Sequence, residues 1–200
     1  MPKVCEYYFA PHSPWAYLGH ARFVALAKQY GVQVELKPCD LGKVFNVSGG
    51  LPLAKRAPQR QAYRLIELKR WSEYLGLPLN LQPKFFPVPP DLAAKFMIAA
   101  QLAHGTSTAL ELTGAIMAGM WAGEKNISDG DTLAAIANEL ELDGKALQKS
   151  AETASVQAAY DQFTENALAA NVFGSPWYVV DGEAYWGQDR LDFVERAFAK

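Results

Sequence analysis

The 200-residue chain lacks a surplus of either charge: 19 lysines and arginines stand against 21 acids, for a net charge of −2. Without a basic excess, nucleic acid is not expected as the main partner. Long hydrophobic runs are missing too. None reaches the roughly 18 residues a membrane span needs, so no membrane partner is expected. Met1-Pro2-Lys3-Val4 leads straight into a strand pattern, with no basic start, apolar core and small-residue cleavage site. No signal peptide is expected, and a cytoplasmic location follows. Cysteine is scarce: there are 2, Cys5 and Cys39, with no C-x-x-C pair, and the 3 histidines complete no metal-ligand spacing. No metal site is expected, and both cysteines read as small buried hydrophobes in a reducing compartment. Internal repeats and low-complexity tracts are absent.

What is present is a chain that is 50% apolar, enough for one sizeable core or one domain with a large insertion. It is organised around Phe9-Ala10-Pro11-His12-Ser13-Pro14-Trp15-Ala16-Tyr17-Leu18. Before it, Val4-Cys5-Glu6-Tyr7-Tyr8-Phe9 reads as a strand. After it, Phe23, Leu26, Ala27 and Tyr30 recur at helical spacing up to a stop at Gly31. Ser13 suits the N-cap and Pro14 the first helical position, where no N–H is needed. Ser13 therefore sits where free amides and the positive helix end favour an anion. The plain alternative is a helix cap and nothing more.

Val32-Gln33-Val34-Glu35-Leu36 alternates as a half-buried strand does, which makes the opening a parallel βαβ unit. Residues 41–61 lose regularity. Ser48-Gly49-Gly50-Leu51-Pro52-Leu53 and Ala57-Pro58 mark a loop that carries Lys55, Arg56 and Arg60. This loop is either a solvated basic stretch or a cationic lip for a carboxylate, which arginine grips with two parallel hydrogen bonds. From Ala62 to about Ala170 the pattern is nearly all helical, broken at Ser128-Asp129-Gly130-Asp131 and Leu142-Asp143-Gly144. Within it, the proline-rich segment 79–90 holds Phe85 and Phe86, which either wall an apolar ligand site or plug a core edge. Trp177-Tyr178-Val179-Val180, the turn Asp181-Gly182 and Glu183-Ala184-Tyr185-Trp186 form a hairpin, and Gly187-Gln188-Asp189 opens a last helix.

Three motifs, in this order and with these gaps, resemble a branch of the thioredoxin superfamily. They are Ser13-Pro14-Trp15-Ala16-Tyr17-Leu18, Val172-Phe173-Gly174-Ser175-Pro176 and Tyr185-Trp186-Gly187-Gln188-Asp189-Arg190-Leu191. The branch holds DsbA-type thiol oxidases, kappa-class glutathione transferases and 2-hydroxychromene-2-carboxylate isomerases, and the likeness is greatest to the isomerases. It implies an α/β, thioredoxin-like fold with a large all-helical insertion between the second and third strands. The expected division is a discontinuous thioredoxin-like domain, 1–45 and 171–200, around a helical domain, 46–170.

Where relatives carry C-x-x-C, this chain reads Ser13-Pro14-Trp15-Ala16, which excludes disulfide exchange on the motif. The resemblance implies that glutathione, as cofactor, brings the missing thiol. Ser13 is then the catalytic residue, holding that thiol as the thiolate. Pro176 is expected to be cis and Ser175 to pair with the cysteinyl backbone. Trp186, Gly187, Gln188 and Asp189 are expected at the γ-glutamyl end, and Arg60 matches a glutathione-binding basic position. The implied reaction opens a cyclic hemiketal to a trans-benzylidenepyruvate by reversible thiol addition. Lys55 and Arg56 then hold the carboxylate of a small aromatic substrate, and Phe85 and Phe86 its ring. His12, beside them, is either a proton donor with a pKa in the useful range or just a polar neighbour of the cleft. The rivals are a kappa-type transferase and a non-catalytic binding module. Relatives are often dimers, so a homodimer is possible. The chain departs from the branch at Ala10, where acids are usual, at His12, at Gln188 in place of asparagine, and at Leu51 and Ala54, where asparagines touch ligand.

Overall fold

A computed structural model describes residues 3–200. The first strand, β1 (Val4–Phe9), lies at the centre of a four-stranded sheet. Its alternation puts Cys5, Tyr7 and Phe9 on one face and Glu6 and Tyr8 on the other. Next comes α1 (Pro14–Gln29), and then β2 (Gln33–Pro38), which runs parallel to β1 from Val4↔Gln33 to Phe9↔Pro38. The expected βαβ opening is therefore present.

Residues 41–48 correct the sequence reading. They form a helix, α2 (Leu41–Ser48), rather than the start of a loop. Asp40 caps it by accepting from the N–H groups of Gly42 and Lys43, at 2.8 and 3.2 Å, and Gly49 ends it at φ 76°. It is inconspicuous in sequence because only Val44 is fully buried. A short 3-10 turn spans Leu53–Lys55, and α3 (Pro58–Leu75) begins four residues before the expected Ala62, on a proline at its first position.

The helical stretch continues with α4 (Asp91–His104), α5 (Thr106–Trp121), α6 (Gly130–Glu139), α7 (Gly144–Ala151) and α8 (Ala154–Ala169). Asp129 and Asp143, the expected breaks, are N-caps of α6 and α7. Helices α4 and α5 are apolar on most sides, from Phe96 and Met97 to Met117 and Trp121, so they lie in the middle of the core. That core is continuous from the sheet face at Tyr7, Phe9, Leu36 and Tyr178 through α1 to α4, α5 and α6. Burying one such large side chain is worth about 2–3 kcal/mol.

The chain returns through β3 (Trp177–Val180), antiparallel to β1 with Tyr7↔Tyr178, and the hairpin partner β4 (Glu183–Trp186). Asp181 and Gly182 both have positive φ, as the tight turn demands. A 3-10 turn at Gln188–Arg190 then leads into α9 (Leu191–Ala199). The sheet order β2-β1-β3-β4, with helices between β2 and β3, is the thioredoxin-like arrangement that the motifs implied. Both cysteines are buried and unpaired, and burial raises both thiols, Cys39 to about 12. Among the described residues, no helix is long and apolar enough to cross a membrane.

Candidate active site

The two ends of the sheet meet at the start of α1. Ser13 is 7% exposed. Its hydroxyl oxygen accepts the Ala16 N–H at 3.2 Å, as an N-cap does, and its proton goes to the Ser175 carbonyl at 3.2 Å. The Ser175 hydroxyl in turn accepts the Ala10 N–H at 3.0 Å. The Ser175–Pro176 peptide bond is cis, as expected. The cap uses Ser13 as an acceptor only, so its proton remains available to another acceptor beside the carbonyl. Pro14 has no N–H, and the Ala16 amide is taken by the cap. Trp15 thus keeps the first free amide of the helix, at its positive end.

The third motif lies on the same side. The Gly187 N–H donates to the Pro176 carbonyl at 3.0 Å, which ties the end of β4 to the cis-proline turn. Trp186 is 53% exposed and packs edge-on against Phe173, with ring centroids 4.8 Å apart. A Cβ at Gly174 would collide with the Trp186 indole nitrogen, which explains the glycine there. Gln188 is 2% exposed and its side-chain oxygen accepts from Arg22 at 3.1 Å. The carboxamide oxygen is therefore committed within the protein. Asp189 is exposed and 2.8 Å from Arg190.

Opposite Ser13 is a wall that the sequence revealed only in part. The His12 ring lies 6.4 Å from Phe86, and Phe86 packs against Trp121 at 5.0 Å. The Arg64 guanidinium sits over both rings, 5.3 Å from the centroid of Phe86 and 5.8 Å from that of Trp121. Arg64 and Trp121 were not singled out in the sequence. The available signal was the spacing of Arg60 and Arg64, four residues apart and so on one side of α3. Arg56 donates to the Leu51 carbonyl at 2.7 Å, while Lys55 and Arg60 are exposed. Phe85 does not join Phe86: its ring carries the Lys84 ammonium at 5.1 Å.

One expectation needs correction. Burial, despite the opposing charge of Asp91, lowers the pKa of His12 to about 4, with Arg64 adding to the fall. At neutral pH His12 is a neutral imidazole and not the readily available proton donor expected. Its Nδ1 is buried without a hydrogen-bond partner.

Comparison with known proteins agrees with this fold. The DsbA-like thioredoxin domain model matches residues 4–199. A 2-hydroxychromene-2-carboxylate isomerase of Sphingobium xenophagum is 27% identical over 196 residues, 98% of this chain and 97% of its own length. A glutathione transferase of kappa type, kappa 2 of Caenorhabditis elegans, is 24% identical and covers 98% of this chain and 93% of its own. A solved 2-hydroxychromene-2-carboxylate isomerase superposes with a TM-score of 0.82 at 25% identity, covering 98% of this chain and 94% of that one. The chain belongs to the DsbA-like thioredoxin family, in which its relatives include 2-hydroxychromene-2-carboxylate isomerases.

Proposed function

We propose that this protein is a glutathione-dependent isomerase of the 2-hydroxychromene-2-carboxylate type. The observation that carries the reading is the Ser13 hydroxyl at the head of α1, with its proton on the Ser175 carbonyl and no cysteine in the motif. Residues around it suit the tripeptide. Among the described residues the Ser175 N–H makes no hydrogen bond within the chain, so Ser175 offers a peptide edge that an extended ligand can extend. Asp189 and Arg60 are both exposed, which suits an ammonium contact at the first, in exchange for its pairing with Arg190, and a carboxylate contact at the second.

Bound glutathione supplies the thiolate nucleophile that the chain lacks. Ser13 turns its proton from the Ser175 carbonyl to the sulfur and, with the Trp15 amide and the helix end, holds that sulfur charged at neutral pH. The depth of Ser13 keeps competing water away. Phe86, half-buried and backed by the fully buried Trp121, gives an aromatic substrate an apolar wall.

Ser13→Ala is expected to lower kcat about 100-fold, as loss of one preorganised donor does, and to lose about 1 kcal/mol of stability from the cap. The direct measurement is the thiolate absorbance of glutathione titrated against pH in the presence of each protein. The wild type should lower the thiol pKa and Ser13→Ala should not. Equal thiol pKa values in the two proteins would remove Ser13 from the mechanism. Turnover of a chromene carboxylate without net loss of glutathione separates the isomerase from a transferase, which would instead consume glutathione on a chlorinated nitrobenzene.

A further inference from the structure

Buried donors usually find acceptors within a protein, because an unsatisfied one costs about 1–3 kcal/mol. Around Phe86, three donors or potential donors do not. His12 Nδ1 and Trp121 Nε1 are buried without a partner. The third is the half-buried Arg64, which lies over the rings of Phe86 and Trp121 and, among the described residues, has neither a carboxylate within 4 Å nor a hydrogen bond. Two turns further along the same helix, Arg70 is paired with Glu67 at 2.6 Å. Arg64 is also crowded by its own kind. Burial and the nearby charge of Arg56 push its guanidinium down to about 10, which still leaves it charged at neutral pH. Asp91, the acid near His12, gives one oxygen to the Tyr160 hydroxyl at 3.1 Å and forms no ion pair with Arg64.

A guanidinium lying over an aromatic ring keeps its N–H edge free, and that edge matches the two oxygens of a carboxylate. Beneath it the half-buried Phe86 ring, with the fully buried Trp121 behind it, presents an apolar ledge for whatever the carboxylate is attached to. The imidazole of His12, neutral at this depth, adds one hydrogen bond without a second charge. His12 is the residue before Ser13, and its ring lies 6.4 Å from Phe86.

We propose that Arg64, helped by His12 over the Phe86 ledge, binds the carboxylate of the aromatic substrate, so that this acid group anchors the substrate next to the Ser13 sulfur site. The inference rests on the isomerase reading and deepens it. It moves the acid-binding role from the exposed Lys55 and the half-buried Arg56 to a cation that lies over the Phe86 ring, near His12.

The test is calorimetric and needs no turnover. Cinnamate serves as the aromatic acid, and S-methylglutathione, which cannot form a thiolate, as the tripeptide. Cinnamate should bind the wild type, and Arg64→Gln should weaken it about 30-fold, the usual loss for a charge-assisted hydrogen-bonded pair. Arg64→Lys should recover only part of this, and Lys55→Gln and Arg56→Gln should change it less than about threefold. S-methylglutathione should bind all four variants within about twofold of the wild type, which also shows that they are folded. Cinnamyl alcohol, which has the ring without the charge, should not distinguish Arg64→Gln from wild type. Cinnamate affinity unaffected by Arg64→Gln would overturn the proposal while leaving the glutathione reading intact. So would loss of S-methylglutathione affinity alone in that variant, since the carboxylate held would then be the tripeptide's. Arg64-dependent cinnamate binding with no S-methylglutathione binding to the wild type would support the subsite and sink the glutathione reading instead.

Discussion

Two regions of this molecule bury basic side chains, and they treat them in opposite ways. In the sheet, Lys37 reaches 2.7 Å from both Glu6 and Glu35, and Tyr8 adds a hydrogen bond to Glu6. Between α1 and α5, His20 is 5% exposed and both its ring nitrogens are engaged, with the Leu110 carbonyl at 2.9 Å and the Tyr7 hydroxyl at 3.4 Å. The cleft beside Ser13 holds the same pair of residue classes, Arg64 and His12, without such partners. A buried cation matched from within the chain stabilises the fold. One left unmatched keeps its binding capacity for a molecule from outside.

The largest test of this contrast is acid. Burial holds His20 at about 4, against about 6.5 for an unfolded histidine. Between these values the unfolded chain binds a proton that the folded chain refuses, so stability is intact above about pH 6.5 and falls as the pH drops toward 4. His20 accounts for about 3 kcal/mol of that loss, and His12 for a similar amount. Thermal unfolding of His20→Gln, which keeps a donor for Leu110 but does not titrate, should show the acid loss cut by about half. An unchanged profile would mean that His20 is charged in the fold.

Next in size is Lys37→Met. It leaves Glu6 and Glu35 facing each other without their cation. Although burial opposes it, hydrogen bonds from Lys37 and Tyr8 hold Glu6 below the usual carboxylate range. Both acids are partly solvated, so the expected cost is about 2 kcal/mol in denaturant unfolding, with cinnamate affinity unchanged. A loss of binding without a loss of stability would reverse the roles of the two regions. The smallest expected effect is on the stability of Arg64→Gln. Removing an unmatched charge beside Arg56 should leave the unfolding free energy within about 0.5 kcal/mol of wild type, or raise it slightly. A fall of 2 kcal/mol would show that Arg64 is a structural cation after all.

Much of the frame was legible because its signals are local. Ser13 and Pro14 mark the head of α1, Asp181-Gly182 marks the hairpin, and Asp129 and Asp143 mark helix starts, since each acts on amides within three residues of itself. Helix α2 escaped notice because one buried residue is too thin an apolar stripe to read, and a Ser-Gly-Gly ending resembles a loop. Phe85 and Phe86 are neighbours in sequence with different fates, as adjacent side chains in an irregular segment diverge.

The amino-acid order alone placed a hydroxyl, and no thiol, where α1 begins, together with the strands and the proline turn that meet it. It did so because caps, turns and alternation depend on near neighbours. The tertiary structure decided which charges are matched. Lys37 meets an acid 31 positions away besides its strand neighbour Glu35, and Arg64 stands over Trp121, 57 positions on, with no acid within 4 Å among the described residues. Those partnerships, and the low pKa of His12 that burial imposes, exist only once distant segments pack together, because Coulomb energy and desolvation depend on distance in space and not along the chain.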